Sequence, residues 1–214
     1  MIAFSDLRTA AYCPRQLWYA RDDDRDAPAA VADRRALAHR YPDLLDAPLG
    51  DEPIAVAPET YRRRLRAARD RHDRWADLID PADRSRLVTG RECRGIVHKV
   101  LCDPPAPAIV STGEPPDDGV WQPDRVWATA AAKALAWETE TAVERAYVEY
   151  PAHGRIRAVA IDGRSKAAYR RTVRTVESMD GPPPRLRRGE RSKCSACEYV
   201  ETCGVRTRTL RSLL

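Results

Sequence analysis

The chain has 214 residues, of which 43% are hydrophobic and 32% charged, and it carries a formal net charge of +5. That length supports one sizeable core, so a single domain over 1–214 is expected. No apolar run approaches the ~20 residues that span a bilayer, which excludes a helical membrane protein and any membrane partner of that kind. The opening MIAFSDLRTAAYCPRQLWY lacks a basic segment followed by a clean apolar stretch, so it does not read as a secretory leader, and a reducing, cytoplasmic setting is expected.

In chain order, Ser5 is placed to cap a short helix with Leu7, Ala10, Ala11 and Leu17 on its apolar face, interrupted at Pro14. Residues 21–34 are charged and turn-like, and 36–58 carry only a weak pattern broken by Pro42, Pro48, Gly50 and Pro53. The spacing of Tyr61, Leu65, Ala68, His72, Trp75 and Ile79 predicts one helix over 59–79. Its other face carries Arg62, Arg63, Arg66, Arg69 and Arg74. Asp70, Asp73 and Asp77 interleave with them, so this face reads as solvated and self-paired in preference to a phosphate track.

Strands are predicted at 87–88, 95–101 and 108–110, then a loop over 113–119 and an Ala-rich helix over 123–139. Two further strands, 142–151 and 156–161, meet at His153-Gly154. A helix over 166–179 follows, with Tyr169, Val173 and Val176 on one stripe. Gly181-Pro182-Pro183-Pro184 then stiffens the approach to the last cysteines.

Cys194, Cys197 and Cys203 form a C-x2-C-x5-C run, and the fourth thiol, Cys13, stands about 180 residues upstream. That spacing is poor for a self-contained zinc knuckle and suits a centre that staples both ends of one domain. Four thiolates with irregular spacing read first as an iron–sulfur site, with zinc as runner-up and free or buried thiols as the plainest reading. Leu17-Trp18-Tyr19 beside Cys13 would keep water from such a centre, or simply pack. Cys93 and Cys102 lack a CxxC partner and read as small core or surface residues. Of 37 basic residues four are lysine (Lys99, Lys133, Lys166, Lys193), leaving 33 arginine, a bias that a GC-rich genome explains without a phosphate grip.

Tyr12-Cys13-Pro14-Arg15 with Trp18 and Tyr19, and Lys193-Cys194-Ser195-Ala196-Cys197-Glu198-Tyr199 ending at Cys203, resemble the hallmark segments of the RecB-like iron–sulfur nucleases, in particular the compact CRISPR-associated exonucleases. The order of predicted elements matches over nearly the whole chain, least well over 36–58. The resemblance implies an α/β fold: a restriction-endonuclease-like PD-(D/E)xK mixed sheet flanked by helices, its termini joined by a 4Fe–4S cluster on Cys13, Cys194, Cys197 and Cys203. It implies DNA or a CRISPR-adaptation protein as partner.

Phosphodiester cleavage on such a core needs Mg²⁺ or Mn²⁺ held by converging carboxylates, with a lysine to stabilise charge. The resemblance places an Asp at the position of His98, Glu and Lys at Ile109 and Ser111, and a helix Gln and Tyr at about Arg125 and Thr129. None of those groups is present here. Asp103, Glu114, Asp117 and Asp118 are nearby carboxylates in Pro-rich, loop-like surroundings, and His39 stands where an upstream metal-binding His is expected. One imidazole does not replace two carboxylates around Mg²⁺. The expectation is therefore a degenerate nuclease site in a protein kept for its shape, binding DNA or a partner. An active single-stranded DNA exonuclease using Asp103 or Glu114, and a zinc-stapled interaction module, are the alternatives. The basic stretches 185–193 and 206–211 flank the cysteines, and Arg187, Arg188, Arg191 and Lys193 are the candidate phosphate contacts.

Overall fold

The computed structural model describes residues 1–23 and 28–204, apart from the side chains of Arg188 and Ala196; the basic stretch 206–211 lies outside the described residues. β1 (Ile2–Ala3) runs directly into α1 (Phe4–Tyr12), whose N-cap is Ala3, so Ser5 does not cap it. Pro14 does not break a helix but opens α2 (Pro14–Ala20). Proline lacks only the N–H that a first helical turn leaves unused. Cys13 is the extended corner between the two, its N–H donated to Thr9 O.

The segment expected as turns over 21–34 contains most of α3 (Ala29–Ala36). None of its residues is buried, so it has no apolar stripe to betray it. A 3₁₀ turn (Leu37–His39) and α4 (Tyr41–Asp46) supply Leu37, Tyr41 and Leu44 to the core. The single helix predicted over 59–79 is two, α5 (Pro58–Arg71) and α6 (Trp75–Ile79). The chain turns out of α5 at His72, which becomes extended; its Nε2 meets Ile156 O at 3.1 Å and its ring meets Tyr147 edge-on.

The sheet strands are β2 (Asp83–Thr89), β3 (Cys93–Leu101), β4 (Ala106–Val110), β5 (Arg145–Tyr150) and β6 (Arg155–Ala160). α7 (Gln122–Thr139) lies between β4 and β5, and α8 (Gly163–Glu177) follows β6, with Asp162 accepting from Ser165 N as its N-cap. A 3₁₀ segment (Arg188–Ala196) and α9 (Val200–Cys203) complete the described chain. The result is an α/β architecture with a mixed, open sheet of six strands flanked by helices. The strand order is β1-β3-β4-β5-β6, with β2 antiparallel along the other side of β3.

Two apolar cores sandwich the sheet. One joins α1, α7 and α8 to Val88, Val97, Ile109, Val148 and Val159; the other joins α4, α5 and α6 to Leu101, Ala108, Val110, Tyr147 and Ile156. β4 and β5 are buried on both faces, which explains their near-continuous apolar runs. Because β2 occupies one side of β3, β1 and β4 share the other: β1 at Cys93 and Arg94, β4 only from Lys99 onward. A gap opens between them along residues 95–98 of β3. α1 begins at the end of β1 and so hangs Arg8 beside it.

Candidate functional site

The structure brings all four predicted thiols to one place. Cys13, Cys194, Cys197 and Cys203 line a single small cavity of about 20 Å³, together with Arg15, Tyr19 and Tyr199. They reach it from opposite ends of the chain because the ends are clasped by several other contacts. Arg15 donates to Pro183 O (2.7 Å) and to Tyr19 Oη (3.0 Å), and Tyr12 Oη donates to Lys193 O (3.1 Å). Tyr19 stacks on Tyr199 with ring centroids 5.8 Å apart, and Tyr199 Oη donates to Asp23 (2.8 Å). Trp18, which the sequence sets beside Cys13, is not in this lining; Tyr19 and Tyr199 are.

Burial, and then the neighbouring thiols of Cys13, Cys197 and Cys203, push the Cys194 thiol up. In kind, four thiols with no competing carboxylate in the lining are the donors a Cys₄ centre would need. Bound there, a centre would draw on these four sulfurs alone. Among the described residues, no group of three or more His, Cys, Asp or Glu side chains is arranged to hold a single metal ion.

The second place is the gap between β1 and β4, at the carboxyl end of β4, where open α/β sheets tend to bind ligands. The β3–β4 ladder stops at the pair Lys99–Ala108. Beyond it, Val110 N–H donates not to backbone but to His98 Nδ1 at 3.2 Å. That bond fixes the neutral tautomer, with the proton on Nε2. The ring stands edge-on to Trp127, and Arg8 lies over the same indole at 4.9 Å. Burial first, then the positive charges of Arg35, His39, Lys99 and Arg8, push the His98 pKa down to about 4.

Ser111 follows β4, and its Oγ donates to buried Asp124 in the first turn of α7. Asp124 also accepts from Arg8 Nε (2.9 Å) and Tyr150 Oη (2.8 Å), and Arg8 reaches Ser111 Oγ as well (3.2 Å). Sequence patterns do not single out Arg8, Asp124 or Tyr150. The available signal is an Asp among apolar residues at a helix start and a Tyr ending an apolar strand.

Of the residues expected here, His98 and Ser111 face the gap, and His39 lies near His98, half-buried, with its Nδ1 unpartnered among the described residues. Ile109 is buried in the apolar core. Arg125 is held away on the loop side, near Gly119, and Thr129 donates to Arg125 O within α7. Asp103, Glu114, Asp117 and Asp118 are exposed, in a turn or loop as their surroundings predict. Asp103 sits in the β3–β4 turn, at the opposite end of β4 from Ser111.

A second carboxylate, Glu149 of β5, is fully buried, and Lys99 donates to it at 2.8 Å. Lys99 gives its other two protons to Ala38 O (2.6 Å) and Leu78 O (2.7 Å), tying the sheet to the helical layer.

The C-terminal cations are partly committed inside the clasp. Arg191 donates to Leu186 O (3.2 Å) and Lys193 lies over the Tyr12 ring at 5.4 Å, whereas Arg187 is exposed. No protein-family model matches the chain, and no curated protein is similar enough to match it.

Proposed function

We propose that this chain is a RecB-like, restriction-endonuclease-type protein of the CRISPR-associated iron–sulfur group that has lost nuclease chemistry and serves as a DNA- or partner-binding protein. The observation that carries the reading is the gap between β1 and β4. Where a metal-dependent nuclease needs free, converging carboxylates, this gap presents an imidazole and a hydroxyl, and Ile109 is withdrawn into the apolar core. Among the described residues the carboxylate at the gap is Asp124, and it is saturated by Arg8, Ser111 and Tyr150. Glu149 is neutralised by Lys99. Positive groups crowd His98 in place of a cation site.

The convergence of Cys13 with Cys194, Cys197 and Cys203 on one cavity supports the second half of the reading, a 4Fe–4S cluster that fastens the termini. Protein purified without oxygen should then contain iron and acid-labile sulfide in equal amounts and show broad visible absorbance. A colourless protein carrying one zinc per chain would replace the cluster by a zinc staple. For the activity, single-stranded DNA incubated with the protein and Mn²⁺ should remain intact. Robust cutting that disappears in Asp124→Asn or His98→Ala would overturn the loss of nuclease chemistry.

A further inference from the structure

The sequence suggests phosphate contacts near the last cysteines and discounts the basic face of the 59–79 helix. The folded chain distributes its cations differently. α5 packs against the edge strand β6, and α3 packs against the 3₁₀ turn (Pro151–His153) that precedes β6. Arg34 of α3 and Arg64 and Arg71 of α5 lie on one face of this edge, Arg155 and Arg157 of β6 leave its other face, opposite Ile156, and the five gather around the β6 edge within reach of one another's charge. Arg155 and Arg157 are two residues apart on a strand and so project from the same face.

Elsewhere, Arg8, Arg40, Arg69, Arg74, Arg84, Arg86 and Arg145 each face a carboxylate. Among the described residues, none of the five gathered arginines has an ion-pair partner. Burial first, then the like charges of Arg155, Arg63 and Arg157, lower Arg64, and burial, then Arg155 and Arg71, lower Arg157. Of the acids nearby, Asp118 acts on Arg157 and Glu114 on His153, neither within ion-pair distance of the five.

The loop after β4 adds an aromatic. Arg157 donates to Asp117 O at 2.8 Å, pinning that loop to β6, and Trp121 Nε1 donates to Glu114 O at 2.7 Å, pinning the indole to the same loop. Trp121 is nevertheless 52% exposed, a large apolar ring left to solvent unless something covers it.

We propose that these five arginines and Trp121 form a track for single-stranded nucleic acid, the guanidiniums on successive phosphates and the indole under a base. Unpaired cations beside an exposed aromatic are the two parts that single-strand recognition requires. A duplex, whose bases are already stacked, would use only the first. The proposal rests on the binding role proposed for the chain and moves its main contacts away from the cysteine clasp.

The test is fluorescence anisotropy of labelled dT20 and rU20, with a duplex of equal length and polyglutamate as competitors, on the full chain purified without oxygen. Arg64→Gln/Arg155→Gln should weaken binding about tenfold or more, and lower the log–log salt slope by about 1.4, at roughly 0.7 for each phosphate no longer neutralised. Trp121→Ala should weaken it by about tenfold, with Trp121→Phe restoring most of it. Arg187→Gln should change little. The DNA and RNA arms decide which strand is the natural ligand.

Unchanged affinity in the double arginine variant, or no binding by the wild-type chain, overturns this surface and leaves the nuclease reading standing. Polyglutamate competing as well as dT20 overturns it in favour of an acidic protein partner. Shortening of dT20 with Mn²⁺ would instead overturn the loss of catalysis and leave the arginine contacts intact.

Discussion

Lys99 and Glu149 show how single residues set the stability of this fold. Both are fully buried, and the ammonium donates to one carboxylate oxygen, Glu149 Oε2, and to two carbonyls at once. Lys99→Met should therefore cost about 3–5 kcal/mol in urea unfolding, because Glu149 is left charged and uncompensated. Lys99→Met/Glu149→Leu should recover most of that loss, since a well-packed apolar pair can equal a buried ion pair. A double variant no more stable than the single one would contradict the account.

His98 predicts a pH dependence. Its folded pKa, about 4, lies below the ordinary 6.5, so between those values the unfolded chain binds the extra proton. The stability is fully present above pH 6.5 and is lost as pH falls towards 4, by on the order of 3 kcal/mol. His39, His72 and His153 are also lowered and act in the same direction. Urea midpoints of His98→Gln should be distinctly flatter over pH 6.5–4 than those of the wild type. At this scale the sequence displays a charged residue inside each of two apolar strands, GIVHKVL and AYVEY, but not that the two charges pair.

At the scale of elements, periodicity finds the strands, the long helix α7 and α8, because each buries a stripe. It misses α3, which buries nothing, and it runs α5 into α6, because the stripe continues past His72 while the backbone turns there. Pro14 starts a helix where the pattern predicts a break, the two being distinguishable only by whether a helix lies before or after the ring. Close packing between elements is equally hidden. A Cβ on Gly90 would sit 2.7 Å from Ala134 Cα, a backbone atom of α7 that cannot swing aside. Gly90→Ala should accordingly destabilise by about 1–3 kcal/mol and lower Tm. Gly50→Ala, with open space around it, should be close to neutral in the same measurement.

For the molecule as a whole, the clasp between the ends has two layers: the polar and aromatic contacts of Tyr12, Arg15, Tyr19 and Tyr199, and the four thiols beneath them. If an inorganic centre joins those thiols, Cys13→Ser should abolish the visible absorbance and make the 181–204 segment markedly more sensitive to trypsin, with the sheet's far-UV signal retained. Equal protease resistance in wild type and variant would mean that the protein contacts alone hold the ends.

The amino-acid order determined the α/β class, most strands and the presence of four ligand-type thiols, because these follow from local spacing and residue chemistry. The spacing of Cys13 against the C-x2-C-x5-C run already pointed to the meeting of the two ends, whereas the locking of Asp124 by Arg8 and Tyr150, and the gathering of arginines from α3, α5 and β6, were decided only by tertiary structure. Both join residues far apart in the chain, and a charged side chain carries no trace in sequence of which distant partner will neutralise it.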